Sequence, residues 1–407
     1  MIRKIGILAI SGAFAQALNF FLLPIIANLY GPEEYGRFSR FFSYFQIVLP
    51  IAGFGLPLAI VLVSDVKEGR RVGAASIVAS GLIAILIAAV VTLVINLAPD
   101  AASNYDYLLA FVVLFAAFQQ IGYQWLTRTG YILAMSMLPL TSALLMNAAR
   151  IFAGKLVGPT HEVLILATIG AYGVFAIITF AIARRSHGME ILEFNGAASL
   201  WQSLKKFSHF PKYRTPQVMI NTFGRNLPVL FLSYFTTSTA TGHFALANAA
   251  LGAGVFLVGN AFSGVFYPRI SRAVADKDSP HRLLRKTTLL LFCMALSLYA
   301  IVVFWGPVLF TIVFGLEWRQ AGQFSQWMTP WFVMALAARP TTDAILALGL
   351  QKQFVIFEVA ATVLRMAALA GGMLTFDSPI GAVATFSVLN AVLYSALIFA
   401  VHNYARK

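Results

Sequence analysis

Apolar stretches of about 20 residues recur from one end of this sequence to the other, and a run of that length suffices to cross a ~30 Å hydrocarbon layer as helix. Twelve are placed, at approximately 5–29, 42–64, 73–97, 107–126, 132–156, 163–183, 215–235, 243–266, 287–305, 324–347, 354–375 and 380–401. With 59% hydrophobic residues, only 11% charged residues and a mean hydropathy of +0.81, the chain has too little polar surface for soluble domains. The expected fold class is an all-α polytopic membrane protein.

The ninth span has the least defined end, because its apolar character continues through Gly306 to Leu316, where an interfacial helix is expected. At the start, Arg3-Lys4, an apolar run and Ala13-Phe14-Ala15 resemble a secretory leader. The run continues to Tyr30, so an uncleaved first span is the better reading.

Basic residues fix the orientation. Arg3, Lys4, Lys67, Arg70, Arg71, Arg128, Arg184, Arg185, Lys205, Lys206 and most later lysines and arginines fall in alternate connectors. The opposite connectors keep only Arg37, Arg40, Lys155 and Arg319. The positive-inside rule then puts both termini in the cytoplasm. A net charge of +14 might point to nucleic acid, but the cations are dispersed beside apolar spans, where anionic headgroups attract them. Membrane lipids, and no nucleic acid, are the expected partners. The single cysteine, Cys293, excludes an internal disulfide.

The long polar connector after Arg184 divides the chain into halves at 1–195 and 215–407, joined by a linker at 196–214. In the linker Leu200, Leu204, Phe207 and Phe210 alternate with Gln202, Lys205 and Lys206, as in a surface-lying amphipathic helix. A faint internal echo links the halves: Gly31 to Phe38 follows span 1, Thr237 to Phe244 follows span 7, and Gly36 and Gly242 stand 206 positions apart. Same-orientation repeats of six spans fit a plan used by transporters.

No catalytic constellation is present. The six histidines lack metal-ligand spacing, Gly154-Lys155 lacks the rest of a phosphate-binding loop, and no cofactor motif occurs. What remains is charge inside the spans, which costs roughly 2.5–3.5 kcal/mol each on an insertion scale and usually faces a bundle interior or watery cavity. Arg225 lies ~15 Å into span 7 at 1.5 Å per residue, and Arg365 lies at similar depth in span 11. Arg150 is nearer the outer face and Arg339 nearer the inner. Arg339 has Asp343 one turn away, so an intrahelical ion pair would account for it. Glu358 shares a face with Arg365 but is two turns off, too far to bridge directly. Asn221, Asn147 and Gln119 extend the polar interior. Four arginines against two acids leave it cationic, which favours an anionic substrate.

Leu29 to Phe38 resembles the start of Wzx-type polysaccharide flippases of the multidrug/oligosaccharidyl-lipid/polysaccharide exporter superfamily. Phe210 to Gln217, Asn226 to Leu230 and Asn260 to Arg269 are similar to their second half. The resemblance implies two six-helix bundles around a central cavity, alternating access in the bacterial inner membrane, and an undecaprenyl-pyrophosphate-linked oligosaccharide as substrate. It also implies no cofactor, other polysaccharide-assembly proteins as partners, and an ion gradient as driving force, with Glu358 and Asp343 as coupling candidates. Arg225, Arg365, Arg150 and Arg339 are placed by span depth, not by family motif. The rival readings are a drug/cation antiporter of the same superfamily, a membrane enzyme of glycan assembly, and a non-transporting scaffold.

Overall fold

The computed structural model describes residues 2–63, 65–97, 104–185, 202, 205–276 and 280–406. Among the described residues there is no β-strand. The helices are α1 (Ile2–Val48), α2 (Leu56–Leu62), α3 (Val66–Leu97), α4 (Leu108–Thr129), α5 (Ile132–Leu156), α6 (His161–Arg185), α7 (Thr215–Phe235), α8 (Ser238–Ala275), α9 (Pro280–Phe314), α10 (Arg319–Ala337), α11 (Arg339–Ala347), α12 (Gln351–Phe376) and α13 (Pro379–Arg406). Among these residues nine helical stretches are long and apolar enough to cross a membrane.

The expected spans do not map one to one onto separate helices. The first two are separated by a break within α1 at Gly31, whose φ of 70° a residue without Cβ adopts readily, and the second continues beyond α1 into α2. Pro32 then opens the next helical run, where its missing N–H costs nothing. The tenth span is divided at Ala338 into α10 and α11. The ninth span ends where expected, at a kink at Trp305, and a second helical run continues from there to Phe314, over the stretch where a further helix was expected. Of the expected amphipathic linker, Leu200 and Leu204 lie outside the described residues, while Phe207 packs against the cluster containing Ile60, Trp125 and Ala183.

Packing follows the membrane rule that small residues face inward. In α3 the buried stripe holds Gly69, Gly73, Ala75, Ser76, Ala79, Ser80 and Ala84, while Leu82, Ile85, Leu86 and Leu93 are exposed. Lipid is as apolar as leucine, so large side chains gain little by turning in, and small ones let backbones approach. The serines are satisfied within the helix: Ser76 Oγ donates to Val72 O at 2.8 Å and Ser80 Oγ to Ser76 O at 2.7 Å. Arg128 closes the end of α2, its guanidinium donating to the carbonyls of Ile60, Val63 and Asp65. These are carbonyls that a helix C-terminus leaves unpaired.

Two compact units emerge, Met1–Leu22 with Phe38–Asn226, and Leu23–Arg37 with Leu227–Lys407. They do not end where the sequence halves do. Residues Leu23–Arg37 join the second unit because buried Trp318 donates from Nε1 to Ala27 O at 3.2 Å and meets Tyr35 edge-on at 5.8 Å. The echoing glycines also meet there. A Cβ added to Gly36 would strike Ser238 O and approach Gly242 N, and one added to Gly242 would strike Pro32 O and approach Gly36 N. Each contact is the other's image in the 206-residue repeat.

Gly36→Ala is therefore expected to destabilise the protein by about 1–3 kcal/mol, read as a lower thermal midpoint in detergent. Gly264→Ala, whose added Cβ meets nothing within 4 Å, is expected to leave the midpoint unchanged or raise it.

Candidate functional site

The four arginines singled out from the sequence stand in different environments. In the first unit, Arg150 on α5 donates from Nε to Thr168 Oγ1 at 3.1 Å and lies over two rings, 5.1 Å from Phe38 and 5.9 Å from Phe42. Those rings stack at 5.5 Å, and Phe45 continues the row to Tyr172 at 5.3 Å. A guanidinium over aromatic faces is held without losing its charge. One turn before it, Asn147 is buried and donates to Asn19 Oδ1 at 2.7 Å, joining α5 to α1.

Arg225 on α7 is exposed and makes no hydrogen bond or ion pair among the described residues. Asn221, one turn earlier, is half-buried and likewise without a partner, so both present free donors on one helix face. The helix pins them by other means: Asn226 Nδ2 donates to Thr222 O at 3.0 Å, and Leu227 and Val229 are buried.

In the second unit the cations are already answered. Arg365 is 6% exposed, donates from Nε to Asn390 Oδ1 at 2.9 Å, and places NH1 3.2 Å from Glu358 Oε2. This corrects the expectation that the two are too far apart to bridge. Seven residues rise ~10.5 Å, but the long arms of both side chains reach along the helix from opposite ends. Arg339 makes no ion pair with Asp343 among the described residues. Instead it donates to Ser263 Oγ at 2.9 Å and Asn260 Oδ1 at 3.0 Å, both on α8, and leaves Asp343 Oδ2 buried without a hydrogen-bond partner.

Gln119 lines a cavity of about 490 Å³ in the first unit, together with Gln120, Tyr123, Tyr172, Arg214 and Thr215. Sequence reasoning named Gln119 and its neighbour Gln120 but missed Tyr123, Tyr172, Arg214 and Thr215 beside them, and the aromatic row under Arg150. The row was visible in principle: Phe38, Phe42 and Phe45 fall at i, i+4 and i+7, one helical face.

Residues 1–274 match the family model described as polysaccharide biosynthesis protein. The chain belongs to that family. Its fold is similar to that of a lipid II flippase MurJ in an inward closed conformation, at 14% identity and a TM-score of 0.73, covering 97% of this chain and 87% of that one. It is similar as well to an inward-facing multidrug resistance MATE family transporter of the MOP superfamily, at 12% identity and a TM-score of 0.75, covering 96% and 94%. A MOP superfamily transporter from Pyrococcus furiosus, described as having a binding pocket of reversed polarity, matches at 13% identity and a TM-score of 0.63, covering 100% and 94%. Comparison with curated proteins gave no match. Among the described residues this multi-pass membrane protein is all-helical, its fold is similar to those of the three solved structures, and these neighbours are transporters and a flippase.

Breaking the Arg365–Glu358 pair from one side strands a buried charge, which costs about 3–5 kcal/mol. Arg365→Met is expected to lower the thermal midpoint strongly, and Arg365→Met with Glu358→Gln to recover much of the loss. Arg225→Ala is expected to leave the midpoint unchanged.

Proposed function

We propose that this protein moves an undecaprenyl-pyrophosphate-linked oligosaccharide from the inner to the outer leaflet of the bacterial inner membrane, as a transporter and not an enzyme. The family match, and a neighbour in fold that is a lipid II flippase, support a lipid-linked substrate. The observation that carries the reading is the contrast among the arginines. Arg365 and Arg339 are consumed by protein partners, whereas Arg225, about ten residues into its helix, keeps its donors free.

A guanidinium held at that depth without an acid is poised for an anion, and its planar fork fits phosphate better than an ammonium does. Pyrophosphate binds there in the inward-open state and is released after the cavity opens outward, while the polyprenyl tail stays in lipid. Both termini lie in the cytoplasm in this arrangement. Asp343 is the acid that couples transport to an ion gradient: Ser263 and the charge of Arg339 act on its carboxylate but its buried Oδ2 has no hydrogen-bond partner, while Glu358 is committed to Arg365. The deficit of acids against arginines within the spans disfavours a cation antiporter.

Deleting the gene is expected to abolish the surface glycan and accumulate its lipid-linked precursor facing the cytoplasm; normal glycan without precursor would refute the assignment. Arg225→Ala, expressed at the normal level, is expected to slow export at least about tenfold, the loss of one charge-assisted hydrogen bond of ~1.5 kcal/mol or more. Asp343→Asn is expected to make the remaining export insensitive to collapse of the ion gradient.

A further inference from the structure

The 490 Å³ cavity of the first unit lies within the roughly 300–1,000 Å³ typical of small-molecule sites, and its walls are unusual for a membrane helix bundle. One wall is backbone that is not α-helical. Between α1 and α2 the chain runs as a 3₁₀ stretch, Leu49–Gly55, with Gly53, Phe54 and Gly55 all at positive φ. Pro50 and Pro57 withhold donors that an uninterrupted helix would use. A phenylalanine at φ 52° is strained, and such conformations cluster at binding sites. Against this stretch packs a second irregular element, the π turn Phe210–Arg214 that leads into α7. Irregular backbone at membrane depth persists only where protein buries it or water reaches it.

Most of the lining is apolar, from Leu49, Leu58, Ala116 and Val218, but the polar side chains set into it are unspent. Gln119, Gln120 and Arg214 have no hydrogen-bond or ion-pair partner among the described residues, and neither do the hydroxyls of Tyr123 and Tyr172. Thr215 is 6% exposed, and its Oγ1 is buried with no partner at all. A buried orphan hydroxyl costs about 1–3 kcal/mol, and Thr215, unlike the equally unpartnered Ser271, Thr288 and Thr341, lines a cavity beside two free amides, where a ligand could satisfy it. The chemistry of the set is specific. Amides and phenols offer paired donors and acceptors that match vicinal hydroxyls. The tyrosine faces offer apolar surface for the C–H side of a sugar ring, and Arg214 adds one cation for an acid group.

We propose that this cavity is a saccharide subsite that holds a sugar ring bearing one negative charge, with Gln119, Gln120, Tyr123 and Thr215 on its hydroxyls and Arg214 on its acid. It rests on the flippase reading and deepens it: Arg225 takes the pyrophosphate, and this subsite takes part of the glycan. The charged ring is either an acidic sugar within the glycan or the sugar joined to phosphate at its reducing end.

Calorimetric titration of the purified full-length protein with glucuronate, glucose 1-phosphate and glucose tests this. At least one of the two anionic sugars is expected to bind about tenfold or more tightly than glucose, the ratio expected for one charge-assisted contact. Preference for glucuronate marks an acidic sugar in the glycan, and preference for glucose 1-phosphate marks the reducing end. Arg214→Gln is expected to erase the preference for charge, and Gln120→Leu and Tyr123→Phe to weaken all binding, with unchanged thermal midpoints. The proposal falls if none of the three sugars binds the unmodified protein, or if the variants bind them as it does. Because binding by purified protein is independent of export, a deletion strain that keeps its glycan would overturn the flippase reading without touching this result. Sugar-blind variants with normal precursor export would remove the subsite and leave that reading standing.

Discussion

Every polar group that this chain carries into hydrocarbon has to be answered by protein or by water in a cavity, and the structure is organised around how each is answered. Serines and threonines spend their hydroxyls on carbonyls of the preceding turn, as Ser76, Thr168 and Thr179 do. Arg128 spends its guanidinium on the frayed end of α2, and Arg365 on Glu358 and Asn390. Among the described residues several groups are left unanswered, Trp125 Nε1, His243 Nδ1 and Thr341 Oγ1 among them, and it is Arg225 with Asn221, Asp343 Oδ2 and the ring of groups from Gln119 to Thr215 that bear on the functional argument.

The same economy shapes the backbone. Helices approach most closely where side chains vanish, and Gly36 against Gly242 is the limiting case, with no room for a Cβ on either side. The segment Leu23–Arg37, which carries both the kink at Gly31 and Gly36, is fastened within the second unit by Trp318, through a hydrogen bond to Ala27 and a ring contact with Tyr35. The two glycines that stand 206 positions apart in the sequence are thus in contact in this chain.

Much of the architecture was legible from residues alone. The apolar runs fall mainly on helix, although the second passes through the irregular stretch Leu49–Gly55 and Ala338 divides the tenth. The matched motifs around Gly36 and Gly242 were visible as an echo, but their direct contact was not. Among the arginines, depth along a span singled out Arg225 and Arg365 equally, and the structure separated them. A seven-residue spacing, read as too long for Glu358 to reach Arg365, is bridged by flexible arms. A four-residue spacing, read as an ion pair between Arg339 and Asp343, is not closed because Ser263 and Asn260 from α8 take the guanidinium.

The sequence by itself determined that this protein spans a membrane many times as helix and that its apolar spans hold more arginines than acids. Both follow from composition along the chain, since transfer to lipid is a property of each segment alone. Only the tertiary structure decided which arginines are free, that Leu23–Arg37 belongs with the second unit, and that Gln119, Tyr172 and Thr215 share one cavity. Partner choice in a low-dielectric interior depends on helix rotation and on groups tens or hundreds of residues away, and no local pattern records either.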